Sequence, residues 1–321
     1  MEDVLNAALR EYLGAEARLE EWAAHPASKR GKQRAVRYDL DARAAGAPQA
    51  CRYEWVGKFY EQDDDARRVA RVLRELAATD CCARGGLMIP SVLAYHAPLR
   101  LLLLTYQSGE SVIGALVRDR GLVLPALGRA LAALHATSVT LDRTTSAVVV
   151  LDDLRRRVAG LCGRFPEATA SLRQRLKRLE QRAPCGFAGP TFLHGDLGPA
   201  QLLWQTGRVV VLDFDKCTRG DPALDLGNLL TQLRRLTLRK PDKLPGFVSL
   251  RRELLDAYQR WYSPDPGLAG RVAWYEEVLL LRKIHFLVFD ATRHAEPGAL
   301  QRRQAEANRL LEELPALIER A

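Results

Sequence analysis

The chain has 321 residues, 47% of them hydrophobic, which is enough for one large or two medium domains with a real core. The formal net charge is +9, but the basic residues are spread along the chain, which favours a solvated arginine-rich surface over a nucleic-acid groove. No apolar run approaches a ~20-residue membrane span, residues 1–25 lack the features of a secretory signal, and the six cysteines show no C-x-x-C spacing, so a cytoplasmic protein with reduced thiols is expected.

The first 106 residues are predicted to form a small, strand-rich lobe. Residues 2–23 carry an apolar stripe at helical spacing, which predicts an amphipathic helix. Alternating and helical patterns then predict a β-hairpin, a helix and two further strands, over residues 34–42 and 52–60, 63–79, and 90–95 and 99–106. Residues 107–110, Gln-Ser-Gly-Glu, interrupt the pattern and are the best candidate for a linker.

The remainder of the chain is predicted to be mainly helical. Patterns with a 3.6-residue period occur over residues 125–137, 152–164, 167–182, 224–239, 250–262, 268–293 and 300–318. Clear strand patterns there are confined to residues 202–204 and 209–212. The sequence therefore predicts an α+β fold of two lobes, with a small antiparallel sheet in residues 1–106 and a larger helical lobe in residues 107–321.

The residues best suited to chemistry lie between positions 192 and 226. His194-Gly-Asp196 places a carboxylate in a tight turn, and Gln201 follows five positions later. Asp213 and Asp215 come directly after an apolar strand. This order suits transfer of a phosphoryl group from a nucleotide to a hydroxyl, because a base carboxylate can orient the acceptor while an amide and a strand-terminal Asp hold Mg²⁺.

Together with Asp221-Pro-Ala-Leu-Asp225-Leu, this segment resembles the aminoglycoside phosphotransferase/choline kinase family of small-molecule kinases, which have the protein-kinase-like fold. The family signature is His-Gly-Asp, four residues and Asn, then Asp-Phe-Asp/Glu, then Asp-Pro-x-x-Asp-Leu. The resemblance implies an O-phosphotransferase that uses ATP or GTP, with Asp196 as catalytic base and Mg²⁺ or Mn²⁺ held by Gln201, Asp213 and Asp215. The expected acceptor is a sugar, an amino alcohol, an aminoglycoside-like compound or a related metabolite, bound by a monomer or homodimer without nucleic acid or membrane.

The resemblance also assigns nucleotide-binding residues in the first lobe. Lys58 would clamp the phosphates, and Glu75, on the helix that follows, would fix the Lys58 ammonium. Glu61 and the run of residues 63–65 offer other carboxylates for that pair. Tyr106 resembles a hinge residue whose backbone faces the adenine. The phosphate loop has one glycine, so Lys29, Arg30 and Lys32 would bind phosphates through side chains, unless they are only a solvated loop.

Each assignment has a simpler alternative. Asp196 could stabilise its own turn, Lys58 could face solvent, and Asp213 and Asp215 could be structural. His194 is expected to brace the loop, and Asp221 and Asp225 are expected to cap a helix. The Gln201 oxygen would lie ~1.5 Å from where the usual Asn places it, because Gln has one more methylene.

Two larger questions stay open at this point. The sparse glycine loop and Gln201 are compatible with a catalytically weak or inactive, kinase-like regulatory protein that binds nucleotide. Residues 222–321 are not acidic overall, which argues against a polycationic antibiotic as acceptor and leaves room for an anionic one. Glu276, Glu277, Asp290 and Glu296 could still build a local acidic pocket. A protein acceptor is not expected, since only five residues separate Asp215 from Asp221, too few for an activation segment.

Overall fold

A computed structural model describes residues 1–28, 34–185, 189–242, 244, 246–290 and 297–319. The basic segment with Lys29, Arg30 and Lys32 therefore lies outside the described residues. By their internal contacts the residues form two units, Met1–Glu110 with Leu202–Asp215, and Ser111–Gln201 with Lys216–Ala321. The fold is α+β, as predicted from the sequence, with an antiparallel sheet in the first unit and mainly helices in the second.

Strands predominate in the chain up to residue 111. In chain order the elements are α1 (Glu2–Leu13), β1 (Arg18–Ser28), β2 (Arg34–Arg43), β3 (Cys51–Phe59), α2 (Asp63–Ala78), α3 (Cys81–Gly85), β4 (Leu87–Met88), β5 (Val92–His96), β6 (Leu101–Thr105) and β7 (Glu110–Ser111).

Helices predominate beyond residue 111. In chain order the elements are α4 (Val112–Arg118), α5 (Arg120–His135), α6 (Ala147–Arg164), α7 (Thr169–Gln181), β8 (Thr191–Leu193), β9 (Leu202–Gln205), β10 (Arg208–Val211), β11 (Thr218–Gly220), α8 (Ala223–Arg239), α9 (Phe247–Gln259), α10 (Leu268–His285) and α11 (Pro297–Glu319). A π-helical segment, Phe286–Asp290, continues α10. Among the described residues, no helix has both the length and the apolar character needed to cross a membrane.

The larger sheet of the first unit has the strand order β1-β2-β3-β6-β5, with neighbouring strands antiparallel. Its alternating apolar residues lie on one face, where Leu5 and Leu9 of α1 pack in one core with Trp55 and Leu101. Lys58 lies opposite Leu102 in the β3–β6 register, three positions after the buried residue Trp55 on the same strand. The predicted hairpin of residues 34–42 and 52–60 is confirmed as β2 and β3.

The prediction of one helix over residues 2–23 is wrong beyond residue 13. Gly14 ends α1 with a φ of 107°, a conformation that favours glycine, and the chain then enters β1. Strand β1 is at the edge of its sheet and pairs with β2, so Pro26 is tolerated although it has no N–H to donate. Pairing along the whole of β1 outweighs the helical preference of residues such as Leu19 and Glu20.

Residues 202–215 belong to the first unit, whereas the predicted boundary at residue 106 assigns them to the second. The physical reason is that β9 and β10 form an antiparallel hairpin and β10 also pairs, in parallel, with β4. This smaller sheet has the order β4-β10-β9-β7. The hairpin carries Asp213 and Asp215 at its end, so the first unit contains both of these carboxylates together with Lys58.

In the second unit, α8 packs against α10 and α5 packs against α9. Short strands β8 and β11 form an antiparallel pair in which Leu193 lies opposite Thr218. Extending this register places residue 216 opposite residue 195. The β8–β11 pair therefore holds the His194–Asp196 turn next to the segment that follows Asp215.

Candidate active site

The first unit brings together Lys58, Asp213 and Asp215. The Lys58 Nζ donates hydrogen bonds to Asp213 Oδ1 at 2.8 Å and to Asp215 Oδ2 at 2.7 Å. The Lys58 side chain is 13% exposed and that of Asp215 10%, whereas Asp213 is 47% exposed. A solvent-facing role for Lys58 is therefore ruled out, because its ammonium lies half-enclosed between two carboxylates.

Asp213 has a φ of 67°, which places a non-glycine residue in the left-handed region. Such a conformation costs about 1–3 kcal/mol, although Asp tolerates it better than most residues. Strain of this kind persists where the surrounding structure holds a side chain in a required direction. Here it turns the Asp213 carboxylate toward Lys58 directly after β10.

Asp215 is held from several sides. Tyr60 donates its hydroxyl to Asp215 Oδ1 at 2.8 Å, and Arg68 on α2 donates to the Asp215 carbonyl oxygen at 2.8 Å. Burial raises the pKa of Asp215, Asp213 raises it further, and Lys58 opposes both effects. Two carboxylates this close need a cation between them, which is the role that Lys58 fills.

Two other predicted nucleotide-binding residues lie in the first unit but outside this cluster. Glu75 on α2 forms an ion pair with Arg71, with 3.6 Å between Arg71 Nη1 and Glu75 Oε1. The predicted Lys58–Glu75 pair is thus replaced by pairs of Lys58 with Asp213 and Asp215, which the order of motifs in the sequence cannot distinguish. The N–H of Tyr106 donates to the Glu54 carbonyl at 3.0 Å, so at this residue the carbonyl is the group left for a nucleotide base.

The donor set of Asp213 and Asp215 fits Mg²⁺. Within the described residues, no cluster of three or more His, Cys, Asp or Glu side chains could enclose a metal ion. Mg²⁺ at phosphate sites does not need such a cage, since it is bound by one or two carboxylates together with phosphate oxygens and water. Oxygens of Asp213 and Asp215 already converge on one cation, the Lys58 ammonium.

In the second unit, the His194–Asp196 turn is shaped by Gly195. Gly195 has a φ of 79°, and a Cβ atom at this position would lie 2.1 Å from the Lys216 carbonyl oxygen. Only glycine fits this approach between the turn and the segment before β11. The N–H of Asp196 donates to His194 Nδ1 at 3.3 Å, and His194 is fully buried, as expected of a residue that braces the turn.

Asp225 on α8 fixes the same turn. Its Oδ2 accepts the N–H of His194 at 2.6 Å, and its Oδ1 accepts the N–H of Gly195 at 3.0 Å. The prediction that Asp225 caps a helix is therefore wrong, because its carboxylate is used by the turn. The capping prediction for Asp221 is confirmed, since Asp221 Oδ1 accepts the N–H of Ala223 at 3.0 Å at the start of α8.

His135 and Tyr258 complete the buried network around Asp225. His135 Nε2 lies 3.3 Å from Asp225 Oδ2, and His135 Nδ1 lies 2.9 Å from the Tyr258 hydroxyl. Since a carboxylate only accepts, Nε2 carries the ring proton and Nδ1 accepts from Tyr258. Burial alone would raise the pKa of Asp225, but the hydrogen bonds from the His135 ring and from the His194 N–H hold this pKa below its usual value.

We expect Asp225→Asn to destabilise the protein by ~3 kcal/mol at neutral pH, because the amide NH₂ would face N–H donors in a buried site. The pKa of Asp225 is lower in the folded than in the unfolded protein, so the carboxylate stabilises the fold fully above about pH 4, the pKa in the unfolded state. This stabilisation is lost as the pH falls through the folded-state pKa. Urea unfolding of both proteins at neutral and acidic pH measures the difference. The exposed residue Asp256 gives the control, Asp256→Asn; equal effects of the two substitutions would contradict the network.

Asp196 and Gln201 line one cavity of about 520 Å³ in the second unit. Lys216 Nζ donates to Asp196 Oδ2 at 2.7 Å, and the two side chains are 67% and 43% exposed. Gln201 ends a 3₁₀ turn, Pro199–Gln201, whose first hydrogen bond runs from the Gln201 N–H to the Gly198 carbonyl. Asp196 is thus open to a ligand in the cavity, unlike a carboxylate that only bonds its own backbone.

Most of the polar residues that line this cavity were not identified from the sequence. They come from α6, α8 and α10 and are Arg157, Asn228, Thr231, Gln232, Arg235, Arg282 and Lys283. Lys216 also lines the cavity and has a local signal in the sequence, because it directly follows Asp213-Phe-Asp215. The others lie on helices whose cavity-facing side is fixed by packing.

Known proteins similar to this chain are phosphotransferases and kinases that act on small molecules. A family model described as the phosphotransferase enzyme family matches residues 31–275. A search by sequence among curated proteins finds no match.

Solved structures give the same fold at low sequence identity. A macrolide 2'-phosphotransferase from Brachybacterium faecium has 21% identity and a TM-score of 0.57, covering 96% of this chain and 98% of its own. A thermostable mutant of an aminoglycoside phosphotransferase, solved with AMP-PNP and hygromycin B, has 17% identity and a TM-score of 0.60 over 96% and 98%. A choline/ethanolamine kinase family protein from Mesorhizobium loti has 17% identity and a TM-score of 0.55 over 100% and 99%.

Proposed function

Since the chain belongs to the phosphotransferase enzyme family, we propose that it transfers the γ-phosphoryl group of ATP or GTP to a hydroxyl group of a small molecule. The observation that carries this proposal is the exposed Asp196 carboxylate in a cavity of about 520 Å³, a size suited to a small ligand. A structural neighbour supports a nucleotide and a small molecule as the two substrates, since it was solved with AMP-PNP and hygromycin B.

In this proposal Asp196 orients the acceptor hydroxyl and accepts its proton as the oxygen attacks the γ-phosphorus atom. Lys216, 2.7 Å from Asp196, holds the carboxylate in place and adds a positive charge beside the reacting groups. Buried His194 and Asp225 keep the turn rigid, so that the acceptor finds the base already positioned. Little covalent chemistry is required of the protein.

Lys58, Asp213 and Asp215 serve the nucleotide. Two of the three Lys58 N–H groups bond Asp213 and Asp215 in the described structure, which leaves one for a phosphate oxygen. Asp213 and Asp215 would hold Mg²⁺, which neutralises charge on the phosphates when bound. Glu75, which is paired with Arg71, has no part in this proposal. The Tyr106 assignment stays a prediction, with Tyr106 contributing through its carbonyl.

A screen for nucleotide consumption tests the proposal. Purified protein is incubated with ATP or GTP and Mg²⁺ against sugars, sugar acids, sugar phosphates, amino alcohols and aminoglycosides, and ADP or GDP is measured with Asp196→Asn as the blank. Acceptor-dependent turnover above this blank supports the proposal. Tight nucleotide binding with no turnover on any acceptor would instead support a regulatory nucleotide-binding protein.

Gln201 is the position where this chain departs from the family signature. If its amide oxygen ligates the metal, Gln201→Asn should keep substantial activity, because Asn supplies the same oxygen, whereas Gln201→Ala should lose most of it. Initial rates of ADP formation over a range of Mg²⁺ concentrations measure the effect. The neighbouring cavity residue Gln232 provides the comparison, because Gln232→Ala should leave the Mg²⁺ dependence unchanged. Near-normal Mg²⁺ dependence in Gln201→Ala would remove Gln201 from the metal site.

A further inference from the structure

The charged residues that line the cavity next to Asp196 are mainly cations. Five basic side chains border it, namely Arg157, Lys216, Arg235, Arg282 and Lys283, and Asp196 is the carboxylate in the same lining. Asn228, Thr231 and Gln232 add polar groups that can bond hydroxyls or anionic oxygens. Such a lining favours a ligand with negative charge.

The carboxylates near these cations do not balance them. Arg235 is paired with Glu306, with 3.1 Å between Arg235 Nε and Glu306 Oε1. Arg157 and Arg282 share Asp153, whose Oδ2 lies 2.7 Å from Arg157 Nε and 3.0 Å from Arg282 Nε. Lys216 is paired with Asp196. Five cations thus face three carboxylates in the described part of the second unit.

Lys283 is the cation for which the described residues provide no hydrogen bond or ion pair. Its Nζ instead lies 4.3 Å from the centre of the Phe286 ring. Burial, together with the positive charge of Arg235, lowers the pKa of Lys283 to about 8, although the negative charge of Glu306 opposes this shift. The ammonium is still mostly protonated at neutral pH, so an anion in the cavity would supply the partner that this half-buried charge lacks.

Two of the four acidic residues considered for a polycation site are paired away from the cavity. Glu276 is buried and paired with Arg251, with 2.7 Å between Arg251 Nε and Glu276 Oε2. Glu277 is paired with Arg175, with 3.3 Å between Arg175 Nη1 and Glu277 Oε1. Neither lines the cavity. The other two candidates, Asp290 and Glu296, lie outside the residues whose side chains are described.

We propose that the acceptor is an anion, a small hydroxyl compound that carries a phosphate or carboxylate group bound by Lys283 together with Arg235 and Arg282. This proposal rests on the proposed function and assigns the substrate class of the same site. The acceptor oxygen forms a bond to the γ-phosphorus atom while the bond from phosphorus to the β–γ bridging oxygen breaks. The hydroxyl proton passes to Asp196 and then to water, and the nucleoside diphosphate leaves with the electron pair.

Matched ligands that differ in charge test the proposal without any turnover. Binding of glucose, glucose 6-phosphate, gluconate and glucosamine is measured by calorimetry on the full chain in the absence of nucleotide. We expect the two anions to bind more tightly than glucose, and glucosamine to bind most weakly. Glucose 6-phosphate and gluconate distinguish a phosphate from a carboxylate as the preferred group. If the anions bind no better than glucose or glucosamine, the proposal is wrong.

A pair of lysine variants places the effect in the cavity. Lys283→Met keeps the apolar length of the side chain and should weaken anion binding by about 10- to 100-fold, while glucose binding changes little. Lys177→Met, on the exposed face of α7, is the matched control and should leave anion binding unchanged. Equal anion affinities in the two variants would overturn the assignment of Lys283.

The same experiment separates this proposal from the proposed function. Anion binding that depends on Lys283, with no ADP formed from ATP and any anion, would contradict phosphoryl transfer but keep the anion site. Turnover of neutral or cationic acceptors alone, unaffected by Lys283→Met, would keep phosphoryl transfer and contradict the anion site.

Discussion

Asp196→Asn is expected to lower kcat by ~10²–10⁴-fold while the affinity for ATP stays within about two-fold of the wild-type value. The amide cannot accept the acceptor proton, but it keeps the size of the side chain. Nucleotide affinity should be retained, because the groups proposed to bind the phosphates and Mg²⁺, Lys58, Asp213 and Asp215, are left intact. Steady-state rates of ADP formation and calorimetry with ATP measure the two quantities separately.

The control for this variant is Asp256→Asn, which removes an exposed carboxylate from α9 of the same unit. It should have normal kcat and normal thermal stability. If Asp196→Asn keeps most of the wild-type turnover, Asp196 is not the base. If its thermal stability falls well below that of the control, the loss of turnover has to be separated from misfolding before it is assigned to chemistry.

The second large effect is expected at Asp213. Asp213→Asn should abolish the dependence of ATP binding on Mg²⁺ and lower kcat by ~10³-fold, equivalent to about 4 kcal/mol of lost charge stabilisation. Asn is the informative substitution because it tolerates the left-handed conformation of this residue, with a φ of 67°, whereas Ala would add backbone strain. The substitution therefore changes the charge with little change of backbone.

Calorimetry with ATP, with and without a chelator, decides the Asp213 prediction. The wild-type protein should bind ATP much more tightly when Mg²⁺ is present, and Asp213→Asn should show one weak affinity in both conditions. Asp64→Asn, which removes an exposed carboxylate at the start of α2 in the same unit, should behave as wild type. Tight, metal-independent ATP binding by the wild-type protein would contradict a metal site at Asp213.

Long periodic segments and dense motifs were predictable from the sequence. The helix over residues 63–79 appears as α2 because Val69, Val72 and Leu76 repeat at helical spacing and are all buried. The His194–Asp196 turn and the Asp213–Asp215 segment could be found because each motif is local. The partners of Lys58 could not, since choosing Asp213 and Asp215 over Glu75 depends on contacts between residues more than 150 positions apart.

Short strands, and residues whose position depends on tertiary packing, could not be predicted from the sequence. Strands β8 and β11 have three residues each, too few to show a period, so the pairing that brings Lys216 to Gly195 could not be seen. Strand β1 contains residues of high helix propensity and is extended because β2 pairs with it. Lys283 lies at the cavity because of the way α10 packs. The helical pattern of α10 does not predict which of its polar residues face a ligand.

The first unit is built from two separate parts of the chain, residues 1–110 and 202–215, and this affects folding during synthesis. Strand β4 ends at residue 88, but its partner β10 begins at residue 208, about 120 residues later. At a synthesis rate of roughly 5–20 residues per second, the ribosome needs on the order of ten seconds to supply that partner. The larger sheet, whose strands β1, β2, β3, β5 and β6 are close in the chain, can form during this interval, whereas the hairpin that leads to Asp213 and Asp215 pairs with β4 late. A chaperone that binds nascent chains would therefore find the β4 edge exposed after the larger sheet has folded.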